Sequence, residues 1–108
     1  MRKSPPAKIA PVKRAPGHYL LRLFMAGSGT NSKLALANLR QLCQEHLKGR
    51  YTIEAIDVVK NFEAAVRNNI LITPALILVS PLPRVVILGN LSDREKVCLA
   101  LRLNEGDA

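Results

Sequence analysis

The sequence predicts a single α/β domain with its elements in the order βαβ–α–ββα. Three observations predict it. A near-continuous apolar run, His18 to Ala26, precedes a glycine-rich turn. An apolar stripe at helical spacing follows and leads into a β-branched segment, which is the pattern of a parallel strand pair joined by a helix. Two more short apolar runs, separated by Pro81-Leu82-Pro83, come before a helix-start signature.

The first strand, 18–26, is apolar apart from His18 and Arg22, as a strand buried on both faces is. Gly27-Ser28-Gly29-Thr30-Asn31-Ser32 is a turn, with Asn31 or Ser32 expected to cap the exposed amides of the next helix. That helix runs to about Lys48, with Leu36, Leu39, Cys43 and Leu47 on its buried stripe, and Gly49 ends it. Tyr51 to Val59 is the second strand. A short helix from about Asn61 to Arg67 is broken by Asn68-Asn69. Ala75 to Val79 and Arg84 to Leu88 are the last strands, antiparallel because their link is so short. Ser92-Asp93-Arg94-Glu95 reads as a capping box for a final helix to about Leu103.

A parallel pair joined through a helix to an antiparallel hairpin is the thioredoxin-like arrangement. It makes the first strand central and the second an edge. Thr73-Pro74, at the mouth of the third strand, falls where such folds keep a cis peptide.

Residues 1–17 form a separate proline-rich basic arm, expected to be disordered, and 18–108 form the domain. The arm holds five of the sixteen basic residues, so most of the net charge of +8 belongs to it. It lacks interleaved aromatics, and no specific nucleic-acid partner is expected. Apolar runs are too short to cross a membrane, no secretory signal is expected, and Cys43 and Cys98 lie in apolar surroundings on helices. A reducing cytoplasm is the expected compartment.

Little catalytic chemistry survives inspection. The loop at 27–32, where a thioredoxin-like redox protein keeps its nucleophile, has no thiol, imidazole or carboxylate. Lys33 lacks the Gly-Lys-Ser/Thr context of a phosphate-binding loop. His18 and His46 have no companion at metal-ligand spacing, so neither metal nor cofactor is expected. Asp57 reads as a strand-end cap or an ion-pair partner. What remains is surface, above all the edge strand Tyr51–Val58, which is open to strand addition unless Arg50, Glu54 and Lys60 protect it.

Several short segments, taken together, resemble the KaiB family of clock proteins. They are Leu21-Arg22-Leu23-Phe24-Met25-Ala26-Gly27, Asn31-Ser32, Gly49-x-Tyr51, Ile56-Asp57-Val58-x-Lys60-Asn61, Ile70-Leu71-x-Thr73-Pro74, Pro81-x-Pro83 and Gly89-x-Leu91-Ser92-x-Arg94-Glu95-Lys96-Val97. The resemblance implies a non-enzymatic protein that binds a KaiC-type ATPase hexamer and modulates its phosphorylation. KaiA or a sensor histidine kinase would be further partners. It also implies two folds, one of them thioredoxin-like when bound. The other, free, is a dimer or tetramer of overall order βαββααβ, with a rearranged second half. The departures are Glu54, where the family commonly has a basic residue, Asn90 for its usual Asp, Val85-Val86 for Arg-Arg, and Ser28-Gly29-Thr30 for Asn-Thr-Pro.

The expected partner-binding residues are Arg22, Lys33, Arg40, Tyr51, Thr52, Ile53, Glu54, Asp57 and Lys60. Thr73, Pro74, Gly89, Ser92 and Glu95 are expected to matter for the fold and its rearrangement. The rival reading is a thioredoxin-like adaptor for a sensor histidine kinase, without redox activity.

Overall fold

The structure is a computed structural model and describes residues 17–103. The basic side chains and prolines of the expected arm lie outside the described residues, as does the stretch 104–108. The elements are β1 (Tyr19–Met25), α1 (Thr30–His46), β2 (Tyr51–Asp57), α2 (Phe62–Arg67), β3 (Ala75–Ser80), β4 (Val85–Leu88) and α3 (Arg94–Leu101). The order is the predicted one, and most boundaries fall within two residues of expectation.

The strands form one sheet in the order β2-β1-β3-β4. β1 pairs parallel with β2 and antiparallel with β3, and β3 pairs antiparallel with β4. β1 is therefore central, as its near-continuous apolar run predicted. β2 is an edge, and β4 is a second edge that the sequence pattern had not singled out.

Side chains alternate across the sheet, so each strand feeds both faces. Leu21, Leu23, Leu76, Leu78 and Ile87 point to one face, where they pack against Ala35, Leu39, Leu42, Cys43 and Leu47 of the α1 segment and Val97 and Leu101 of α3. Tyr19 fixes this layer, its hydroxyl donating to the Leu101 carbonyl at 2.9 Å. The opposite face holds a much smaller cluster of Phe24, Ala75 and Ile77 under Ala64 of α2.

Two predicted caps are corrected. α1 starts at Thr30 with Gly29 as its N-cap, and no side chain caps it. Ser32 is buried and turned the other way, its Oγ accepting the Ala26 amide at 3.1 Å. It ties the helix back to the end of β1, and a buried hydroxyl is kept satisfied in doing so. At α3 the cap is Asp93, whose carboxylate accepts the Lys96 amide at 3.2 Å. Ser92 and Glu95 thus do not form a capping box. Ser92 instead donates its amide to Asn90 Oδ1 at 3.0 Å, and Glu95 is exposed. Asp at the N-cap moves the helix start one residue on and leaves Lys96 at the third position, where a capping box needs Glu or Gln.

The Thr73-Pro74 peptide is cis, as the topology predicted, and so are Ser80-Pro81 and Leu82-Pro83.

Candidate docking surface on the β2 edge

The loop after β1 is built as a turn. Gly27 has φ +59, which suits glycine, and its amide donates to Asp57 Oδ1 at 3.0 Å. The same oxygen accepts the Val59 amide at 2.9 Å. These two amides, Gly27 first, hold the Asp57 carboxyl below the usual carboxylate range, and the nearby Lys60 charge adds less. Asp57 thus joins the end of β2 to the β1–α1 loop. Its reading as a strand-end cap holds, since one carboxylate oxygen accepts both amides.

β2 carries most of the other expected contact residues. The parallel register sets Arg22 beside Glu54. Arg22 Nε lies 2.8 Å from Glu54 Oε1, with the side chains 30% and 43% exposed. Glu54 is therefore not a lone charge on the edge: it is ion-paired with the strand next to it. Thr52 is exposed, and its Oγ1 lies 2.9 Å from His18 Nε2. Tyr51 and Ile53 are half-buried and pack against the main core on the other face. Lys60 is exposed just beyond the strand.

Lys33 and Arg40 are exposed on α1. They belong to the helix layer on the α1 side of the sheet, whereas Arg22, Thr52 and Glu54 belong to the face that α1 does not cover. The structure thus brings Arg22, Thr52 and Glu54 together and sets Lys33 and Arg40 apart from them. Among the residues expected to matter for the fold, Pro74 and Gly89 meet directly, with the Gly89 amide on the Pro74 carbonyl at 2.9 Å. Gly89 has φ +102, which a side chain would strain.

Sequence reasoning missed a groove of ≈ 360 Å³ beside β4, lined by Asn68 to Ile72, Arg84, Val86 and Leu88. The signal was present: Val86 and Leu88 alternate with core residues on a strand that the short α2 cannot reach across. Among the described residues, no three His, Cys, Asp or Glu side chains are grouped so as to hold a metal ion. No described helix is long and apolar enough to cross a membrane.

A β2-β1-β3-β4 sheet, a cis proline at the mouth of β3 and a βαβ start define a thioredoxin-like domain, here with no cysteine in the loop at 27–32. Solved structures agree on the fold. The N-terminal domain of Synechococcus elongatus SasA matches with a TM-score of 0.67 at 21% identity, covering 92% of this chain and 96% of that one. Chloroplastic thioredoxin z matches with a TM-score of 0.67 at 20% identity, covering 82% and 80%.

The chain belongs to the KaiB family: the family model described as the KaiB domain matches residues 22–103. The circadian clock oscillator protein KaiB of Synechococcus elongatus is 44% identical over 89 residues, which is 82% of this chain and 87% of that protein.

Proposed function

We propose that the chain is a non-enzymatic KaiB-type regulator that docks on a KaiC-type ATPase hexamer and modulates its phosphorylation or ATPase state. The observation that carries this reading is the family match together with an open β2 edge whose loop end is pinned by Asp57. An edge strand with unpaired backbone groups is a ready docking site for another chain. Arg22, Tyr51, Thr52, Ile53, Glu54 and Lys60 form or flank that surface, with Lys33 and Arg40 on a second, helical patch. The lack of a thiol, imidazole or carboxylate at 27–32 supports a binding role over catalysis.

The proposal includes a second fold. Residues from about 60 onward would rebuild as the second half of βαββααβ in a free dimer or tetramer, with the thioredoxin-like fold as the bound form. Two packings of one sequence coexist only when they differ by a few kcal/mol. A cytoplasmic location, and KaiA as a further partner, belong to the same reading.

Pull-down of the KaiC-type ATPase from the same genome, with ATP and with ADP, tests it. Binding in at least one nucleotide state is expected, weakened by Glu54→Lys. No binding in either state sinks it. Recovery of a sensor histidine kinase alone would favour the adaptor reading. Assignment of residues 60–103 by NMR, with and without the ATPase, tests the second fold.

A further inference from the structure

The two cysteines sit on helices that pack together, yet their surroundings differ. Cys43 is fully buried in the main core, and burial pushes its thiol up to about 12. At neutral pH it is protonated and shielded, and the thiolate is the reacting form. Cys98 is half-buried on α3 at the rim of the same core. Its Sγ lies 3.9 Å from His46 Nε2, on the last residue of α1. The pair is 52 residues apart in sequence, so only the packing of α3 on α1 creates it.

Arg94, one turn before Cys98, is ion-paired with Glu45, the neighbour of His46 in α1. Arg50 donates from Nη2 to the His46 carbonyl at 3.2 Å. A thiol touching an imidazole is a nucleophile with its base in place. The imidazole nitrogen is a proton acceptor placed beside the thiol. Neither the fold nor the β2 surface uses this chemistry.

We propose that Cys98 is a reversible thiol-modification site that takes a small disulfide of the glutathione class, with His46 as the proton acceptor. The Cys98 proton passes to His46 Nε2, and the sulfur attacks one sulfur of the disulfide. A new S–S bond forms at Cys98 as the old one breaks. The departing sulfur leaves with the electron pair of the broken bond and takes the proton from the imidazolium. The Cys98 sulfur is oxidised and the departing thiol is reduced; a second small thiol reverses the exchange. Cys43, buried and protonated, does not resolve the adduct.

The position gives the modification a structural effect. The Cys98 carbonyl accepts the Leu103 amide at 2.8 Å and so closes the last turn of α3. An adduct of tripeptide size on this half-buried thiol is expected to lift the turn.

The test treats the full chain with oxidised glutathione at neutral pH and reads intact mass, modified peptides and amide exchange. One adduct is expected, on Cys98, with Cys43 modified only after denaturation. Dithiothreitol should remove it. Amides of 94–103 should exchange faster in the adduct while those of β1 do not. His46→Gln should slow modification at least about tenfold at neutral pH, with the rates converging in alkali, where the thiol ionises unaided. An unreactive Cys98 in the folded chain overturns the site. Equal rates for wild type and His46→Gln overturn the role of His46. The wild-type pH profile tests the same role without any variant: a rate that follows ordinary thiol ionisation, near about pH 8.5, also overturns it.

Discussion

The two faces of the sheet are built from the same strands and end in different states. One face lies under α1 and α3, and its central side chains, such as Leu23, Leu39 and Leu76, are fully buried. The other has only the six residues of α2 over it, with Phe24, Ala64, Ala75 and Ile77 as its buried cluster. Around that cluster, apolar side chains stand in water: Leu71 is 93% exposed and Phe62 71%, with Ile72, Val86 and Leu88 more than half exposed or close to it. The lesson is that one face holds the fold together and the other is left accessible. An exposed apolar group that is contiguous, rather than scattered, marks a surface for something else. The Arg22–Glu54 pair and the β2 edge belong to that second face.

Substitutions sharpen or break this contrast. The largest effect is expected at the sealed face. Leu39→Ala should cost about 2–5 kcal/mol, because it leaves a cavity that α1 and the sheet cannot close. Val86→Thr on the open face should change stability by no more than about 0.5 kcal/mol. Urea denaturation of both variants measures the difference, and comparable losses would mean that the open face is part of the core after all.

Tyr19→Phe comes next, at about 1–2 kcal/mol, since it strands the Leu101 carbonyl inside the sealed layer. A neutral result, by the same denaturation, would show that water reaches that carbonyl.

Asp57 tests the loop end of β2 through pH. Its folded pKa is depressed, so its contribution is fully present above the unfolded value, about 3.9, and is lost as pH falls through the folded value. Asp57→Asn should therefore be less stable than wild type at neutral pH, and the gap should close as pH falls below the carboxylate range. Paired denaturation curves between pH 2 and pH 7 check it; a gap that persists in acid would mean that geometry, not charge, holds Gly27.

The smallest effect is expected at Arg22 and Glu54. Both side chains are partly exposed, so a double-mutant cycle with alanine should give a coupling of about 0.2–1 kcal/mol. The coupling should shrink in high salt. Strong, salt-insensitive coupling would mean that the second face is drier than its exposure suggests.

Much of the sealed face was legible in advance. The stripe of Leu36, Leu39, Cys43 and Leu47 named the right side of α1, although Ala35 and Leu42 also line the core. The run 18–26 marked β1 as central. The surface proposed for docking was legible only as a strand. Glu54 read as a bare charge because its partner, Arg22, lies 32 residues away and is brought beside it by parallel register. Ser32 read as a helix cap because a hydroxyl near a helix start is usually one, while the Ala26 amide that claims it lies just past the end of the preceding strand.

By itself the sequence determined the element order, the edge position of β2, the turn at 27–32 without a reactive group, and membership of the KaiB family. These follow from local patterns: apolar period, turn residues, and motifs held in order. Only the tertiary structure decided which polar groups meet. Arg22 with Glu54, Asp57 with the Gly27 amide, Ser32 with the Ala26 amide and His46 with Cys98 are pairings of side chains with groups on other elements. They depend on register and on how the helices settle on the sheet, and a hydrogen bond is satisfied by whichever group arrives within about 3 Å, wherever it lies in the chain.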